Sequence, residues 1–189
     1  MAAFVLIVAV THAPAIQAMP IIGSLTLSSD GVYDNGMDLL TRNVFEPEGL
    51  RTGLRTGHFQ LVPGGSAITG GTLDLTTLDT YAFVITGAGS FASGASGNVI
   101  GQRNATNLDV YLLGLFTPDS GGPLSAFDPS PSSVRFSLTR TGAMQDFSIS
   151  FSGTEAAPPA EPPTVVSEPV SLAVLGSGLL GLGLLRRRR

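Results

Sequence analysis

Short apolar stretches that alternate with turn residues fill the middle of this chain and most limit the folds open to it. Val134–Thr139 and Phe147–Phe151 both have an apolar residue at every second position, and Thr141-Gly142 lies between them. Successive side chains of a β-strand point to opposite faces of a sheet, so a period of two predicts a strand with one buried face. We expect the two segments to form an antiparallel hairpin.

The same pattern predicts further strands, and no segment between residues 19 and 155 has a convincing helical period with caps. Only Asn35–Asn43 is compatible with a short helix. Besides the hairpin, the predicted strands are Leu25–Leu27, His58–Val62, Thr72–Leu78, Tyr81–Ile85 and the most apolar one, the expected central strand Leu108–Phe116. Glycine and proline turns without a βαβ rhythm favour an all-β fold, an antiparallel β-sandwich of jelly-roll-like or Ig-like type.

The C-terminal residues have a different composition, which predicts a membrane segment. Val170–Leu185 contains no charged residue and is followed by four arginines: Arg186, Arg187, Arg188 and Arg189. As a helix, these sixteen residues span about 24 Å, slightly less than the core of a bilayer at about 30 Å. Each arginine costs about 2.5–3.5 kcal/mol to insert, so the cluster is expected to keep the C-terminus cytoplasmic. The alternative is a buried core helix, because apolar segments of this length are often core.

Three features of the tail occur in a fixed order: Ser167-Glu168-Pro169, the Gly/Leu-rich segment Leu172–Gly183 and the arginine cluster. Together they resemble the PEP-CTERM sorting signal of Gram-negative bacteria. The family has a Pro-Glu-Pro-like tripeptide, so Ser167 stands where its first proline would be. The resemblance implies recognition by a membrane protease-transpeptidase of the exosortase type, cleavage near the tripeptide and delivery to the cell surface.

A second likeness lies inside the predicted β domain. The segment 127–131 reads Phe-Asp-Pro-Ser-Pro and is followed by Phe-Ser-Leu-Thr-Arg-Thr-Gly at 136–142. Both are similar to segments of PEP-CTERM-anchored ectodomains. The resemblance implies a β-rich exported domain and no particular chemistry.

The first residues predict a signal peptide. Ala2–Val10 is apolar and a stretch of small residues ends at Ala18, so cleavage before Met19 is expected. A buried first strand is the alternative, although the proline at position 14 would interrupt it. The predicted organisation is a signal peptide at 1–18, a β-sandwich ectodomain at 19–155, a proline-rich linker at 156–167 and a sorting tail at 168–189 with a transmembrane helix at 170–185.

The composition of the predicted ectodomain argues against several classes of function. Between residues 19 and 155 there are twelve acidic residues and six arginines, a net charge of −6, which gives no electrostatic footprint for nucleic acid. The chain has no cysteine, and His58 is the one histidine outside the predicted leader, so a zinc site or a nucleophilic triad is disfavoured. We predict no catalytic residue and interpret the chain as a non-enzyme. A hydrolase would need two of the scattered carboxylates about 5–9 Å apart in a cleft.

Calcium is the one cofactor that the sequence leaves open. Asp30, Asp34 and Asp38 lie in one short segment with Asn35, and calcium takes six to eight oxygen ligands. The spacing is not that of an EF-hand. Aspartate and asparagine are also ordinary loop residues, which is the competing interpretation.

The predicted function combines these observations. We expect an exported, membrane-tethered surface or extracellular-matrix protein with a structural or adhesive role in biofilm or exopolysaccharide association. Its expected partners are an exosortase-type enzyme, the lipid of the inner membrane and exopolysaccharide. We expect a transient inner-membrane anchor, followed by a location at the cell surface or outside the cell. The alternative is a secreted carbohydrate- or calcium-binding module.

Overall fold

The structure, a computed structural model, describes residues 19–32, 38–141 and 148–162. In these residues the chain forms thirteen β-strands and two short 3₁₀ helices, at Gly57–Leu61 and Leu78–Thr80. The strands are Gly23–Ser28 (β1), Gly31–Val32 (β2), Val44–Phe45 (β3), Pro47–Glu48 (β4), Arg51–Arg55 (β5), Ile68–Gly70 (β6), Leu73–Asp74 (β7), Ala82–Ile85 (β8), Gly89–Ser93 (β9), Val99–Arg103 (β10), Asn107–Pro118 (β11), Ser130–Thr141 (β12) and Ser148–Ala157 (β13). The predicted all-β class is confirmed.

One antiparallel sheet of nine strands dominates the fold. Its order is β5-β1-β13-β12-β11-β9-β8-β6, and β10 pairs with β11 beyond the end of β9. The two outer strands of this order approach each other, because an antiparallel bridge joins Arg51 to Ala67. Beside it, the Ile68 N–H donates to the Leu50 carbonyl at 2.9 Å. The sheet therefore nearly closes on itself and is barrel-like, which leaves β5 and β6 less exposed than free sheet edges would be.

The centre of the sheet is built from its three longest strands. The predicted hairpin is confirmed as β12 and β13, whose register runs from Thr141 opposite Ser148 to Ser133 opposite Ala156. The predicted central strand is confirmed as β11, which pairs with β12 along one edge and with β9 and β10 along the other. The alternating pattern was informative here because each strand turns one apolar face inward.

Phenylalanine rings fill the inside of the sheet. Six of them are fully buried: Phe45, Phe59, Phe83, Phe91, Phe116 and Phe136. Phe59 meets Phe116 edge to face with ring centroids 5.3 Å apart, and Phe83 stacks on Phe91 at 5.5 Å. Four of the six lie on strands of the large sheet, Phe59 lies in the first 3₁₀ helix and Phe45 lies in β3, so the core joins the sheet to the segments that cover it.

Two strand predictions were wrong in detail. The segment 58–62 is not a strand but the 3₁₀ helix Gly57–Leu61. Its two inward residues, Phe59 and Val62, are three positions apart, which is the repeat of a 3₁₀ helix and not of a strand. Gly57 allows the turn, since its φ of +55° is a left-handed conformation. Of the segment 72–78, only Leu73–Asp74 is in a strand.

Several predictions fall on residues that the structure does not describe. These are the signal peptide, the transmembrane helix at 170–185, and the first part of the short helix predicted at 35–43. In the described part of that segment, 38–43, the chain has a turn and no helix. Among the described residues, no helix has the length and apolar character needed to cross a membrane.

Candidate functional site

The start of the first strand and the end of the last strand meet at one end of the barrel. Gly23 pairs with Ala157 across β1 and β13, and Pro20 forms a bridge with Asp128 just before β12. The Asp128 N–H also donates to the Met19 carbonyl at 3.1 Å. The chain therefore enters and leaves the barrel at the same end, which we call the terminal end.

The strand that leads into the predicted linker is a central strand of the sheet. β13 pairs with β1 over six residue pairs and with β12 over nine. It extends to Ala157, two residues beyond the predicted end of the domain at 155. A segment attached after β13 is thus continuous with a strand that is hydrogen-bonded along both edges.

Residues just after β13 are bound to the outside of the sheet. The Tyr111 hydroxyl donates to the Ala160 carbonyl at 2.6 Å, and the Ala160 N–H donates to the Ser133 Oγ at 2.9 Å. Tyr111 and Ser133 are both buried. The beginning of the predicted linker is therefore clamped by two hydrogen bonds to β11 and β12, and we call these contacts the linker clamp.

Removal of the Tyr111 hydroxyl is expected to loosen this clamp. The substitution Tyr111→Phe keeps the ring but deletes the donor, and a hydrogen bond of this kind contributes about 0.5–1.5 kcal/mol. Amide exchange at Ala160, measured by mass spectrometry or NMR, should accelerate by up to about tenfold, because 1.4 kcal/mol is a factor of ten. Ser137→Ala, on the exposed face of β12, is the matched control and should leave that exchange unchanged.

A polar groove lies on the outer face of β10, β11 and β12. Its volume is about 210 Å³. At its centre, Arg135 donates two hydrogen bonds to the Asp109 carboxylate, at 3.0 and 2.6 Å. These bonds raise the pKa of Arg135. The remaining polar lining is Gln102, Asn107, Ser137 and Thr139. Planar polar side chains and hydroxyl groups in one groove can hydrogen-bond a hydroxyl-rich ligand.

A buried carboxyl group lies on the inner face of β13. Glu155 has no exposed surface, and burial raises its pKa to about 8, with a smaller opposing effect from the Ser132 hydroxyl. Among the described residues, neither carboxyl oxygen has a well-formed hydrogen bond. The Tyr81 hydroxyl is also buried, and its pKa is raised by burial and by the nearby Glu155. The core therefore favours the neutral form of Glu155. This residue was not among the candidates predicted from the sequence.

The aspartates of the predicted calcium site are only partly described. Asp38 accepts hydrogen bonds from the Thr41 N–H at 2.9 Å and the Thr41 hydroxyl at 2.7 Å, and these bonds lower its pKa. Asp30 lies at the turn after β1, where its N–H donates to the Glu48 carbonyl at 2.9 Å. Asp34 lies outside the described residues, and within them no group of three acidic or histidine side chains could hold a metal ion. The calcium site stays a prediction.

The contacts of His58 link two segments of the fold. Its Nδ1 accepts a hydrogen bond from the Ile22 N–H at 3.0 Å, and its ring packs against Phe127 with centroids 4.3 Å apart. The lone pair of Nδ1 is therefore used by this backbone hydrogen bond. The histidine thus joins Ile22, just before β1, to Phe127, just before β12.

The predicted sorting residues 167–169 and 186–189 lie outside the described residues. Comparison of the chain with protein-family models, with curated proteins and with solved structures finds no significant match. Its function is therefore inferred from its own sequence and geometry.

Proposed function

We propose that this chain is an exported surface or extracellular-matrix protein whose barrel is displayed on a PEP-CTERM-like tail. The tail would hold the barrel at the inner membrane until an exosortase-type enzyme processes it. The role of the displayed barrel would be structural or adhesive, in biofilm or exopolysaccharide association. The observation that carries the proposal is that the tail follows β13, a strand paired along both edges.

The position of β13 suits a load applied through the tail. Hydrogen bonds of an antiparallel ladder run perpendicular to the strands, so a pull along β13 loads the bonds to β1 and β12 together. An edge strand pulled sideways would lose its bonds one at a time. The linker clamp adds two more hydrogen bonds at the point where the load enters.

We also propose that the barrel belongs to the jelly-roll-like or Ig-like type of antiparallel β-sandwich. A jelly-roll-like or Ig-like sandwich packs two aligned sheets, and flattening of a nearly closed antiparallel sheet gives a similar arrangement. In both the sandwich and the nearly closed sheet, the core holds the strands together and the surface loops and outer faces stay accessible to a binding partner.

A secreted carbohydrate-binding module is the second candidate, because the groove around Asp109 and Arg135 is lined by amides, hydroxyls and a charged pair. Calcium, with Asp30, Asp34 and Asp38 as ligands, belongs to the same candidate. Calorimetric titration with a panel of oligosaccharides and with calcium separates it from a purely structural role. A heat of binding that saturates with an oligosaccharide or with calcium would favour the binding module over the structural role.

Substitution of the sorting tripeptide tests the first proposal. The double variant Glu168→Ala, Pro169→Ala is expected to remain unprocessed in the inner membrane, since the resemblance assigns recognition to this segment. Ser167→Pro, which restores the family's proline, is the matched control and should be processed at least as completely as the natural chain. Fractionation of the cells with mass measurement of the product is the readout. Equal processing of all three chains would contradict the proposal.

A further inference from the structure

Large apolar side chains are exposed at the terminal end of the barrel. Met19, Ile22 and Leu115 are 52%, 56% and 43% exposed. Met19 and Ile22 lie at the start of the described chain, and Leu115 pairs with Pro131 near the start of β12. Exposed apolar residues are ordinary when scattered, but a contiguous group marks a surface that contacts something.

Two apolar grooves join Ile22 and Leu115 into one surface, and Met19 lies beside it, next to Pro20 in the chain. A groove of about 220 Å³ is lined by residues that include Pro20, Ile22, Pro131 and Pro158. A second groove, of about 520 Å³, continues past Pro131 to Leu115 and Pro159. Because both grooves contain Pro131, the apolar surface is continuous over the end and the adjoining wall of the barrel. We call it the end patch, formed by Met19, Pro20, Ile22, Leu115, Pro131, Pro158 and Pro159.

The length of chain after the barrel limits where this end can lie. Seven residues, 163–169, separate Pro162 from the predicted membrane helix at 170–185. Fully extended, seven residues reach at most about 25 Å. If the tail spans the membrane, Pro162 therefore lies within about 25 Å of the bilayer, and the neighbouring surface of the barrel lies close to the lipid.

We propose that the end patch docks on the surface of the lipid bilayer, an inference that rests on the membrane tail of the proposed function. Apolar side chains at the edge of a domain partition into the boundary between headgroups and acyl chains. Asp128 is exposed at the same end, beside Pro20, so the attraction is apolar and favours uncharged headgroups over anionic ones. Docking would fix the barrel upright and direct its opposite end outward.

The opposite end supplies a matched control position. Leu40 is 54% exposed and follows Leu39, whose N–H donates to the Ala105 carbonyl at 3.2 Å in the turn between β10 and β11. This turn lies at the far end of β11 from Leu115. The chain contains no tryptophan, so a single introduced indole reports on one position alone.

The experiment uses the chain purified from membranes after removal of its leader and reconstituted into phosphatidylcholine vesicles with brominated acyl chains. Leu115→Trp is expected to show a blue-shifted emission and strong quenching, whereas Leu40→Trp should show neither. Ile22→Trp is a second reporter in case the first variant is poorly folded, and circular dichroism checks the β-content of each variant.

The outcomes separate this inference from the function on which it rests. Stronger quenching of Leu115→Trp or Ile22→Trp than of Leu40→Trp supports docking. Equal quenching at both ends, or none at either, in chains that float with the vesicles overturns docking and leaves the membrane tail intact. Failure of the chains to float with the vesicles overturns both proposals.

Discussion

Replacement of Glu155 by glutamine is expected to stabilise the barrel at pH 8 and to remove most of its pH dependence between pH 4.5 and 8. The carboxyl group of Glu155 is fully buried, and its pKa is raised from 4.5 to about 8. Between these two values the unfolded chain has released the proton while the folded chain keeps it. Rising pH therefore favours the unfolded state, so the stability that the neutral acid contributes is complete below pH 4.5 and lost above about pH 8.

The expected size of this effect is large. Each pH unit between the two pKa values is worth about 1.4 kcal/mol, which gives a loss on the order of 5 kcal/mol across the whole interval. Urea unfolding of the natural chain and of Glu155→Gln at several pH values measures it. Glu161→Gln, at an exposed carboxyl group, is the control and should leave the slope unchanged. A slope that persists in Glu155→Gln would show that another group is responsible.

Truncation of Phe136 is expected to be the most damaging single change in the core. Its ring lies 5.1 Å from that of Tyr81 and 4.8 Å from that of Phe151, measured between centroids, and the residue is fully buried on the central strand β12. Gly153, opposite Phe136 in the register, leaves room for the ring, because a Cβ there would lie 2.8 Å from it. Phe136→Ala should lower the free energy of unfolding by about 3–5 kcal/mol, since a large buried side chain is replaced by a cavity.

Thermal or urea unfolding tests this value. Phe136→Leu keeps most of the volume and is expected to cost clearly less than the alanine variant. Exposed Val84→Ala, on β8, is a surface control and should change stability by no more than about 0.5 kcal/mol. A cost below about 1 kcal/mol for Phe136→Ala would mean that the core is not organised around this ring.

The sequence predicted the strands whose pattern is local. β11, β12 and β13 alternate cleanly or are strongly apolar, so their existence and the β12–β13 hairpin were recognisable. The near closure of the sheet could not be predicted from the sequence. It depends on the approach of Arg51 to Ala67 and on the pairing of β1 with β13 across almost the whole domain. Contacts between segments so far apart leave no periodic trace in the sequence. The prediction of a strand at 58–62 was wrong because the apolar pattern of only five residues fits either a strand or a 3₁₀ helix.

The residues of the candidate site differ in how far the sequence alone could predict their positions. Glu155 continues the inward phase of Phe151 and Gly153, so an extension of the alternating pattern past Phe151 would have placed it in the core. Tyr111 was read only as part of an apolar strand, although a buried tyrosine usually needs a partner for its hydroxyl. Its partner, Ala160, lies in the segment 156–167, which composition alone assigned to a proline-rich linker.

The mass of the mature protein in fractionated cells tests the central claim most directly. An exported barrel on a processed tail predicts a product in the surface or extracellular fraction that begins at Met19 and ends near Glu168. The same product should be missing from the cytosol. A full-length chain that stays dissolved in the cytosol, with residues 1–18 and 170–185 still attached, would contradict the account.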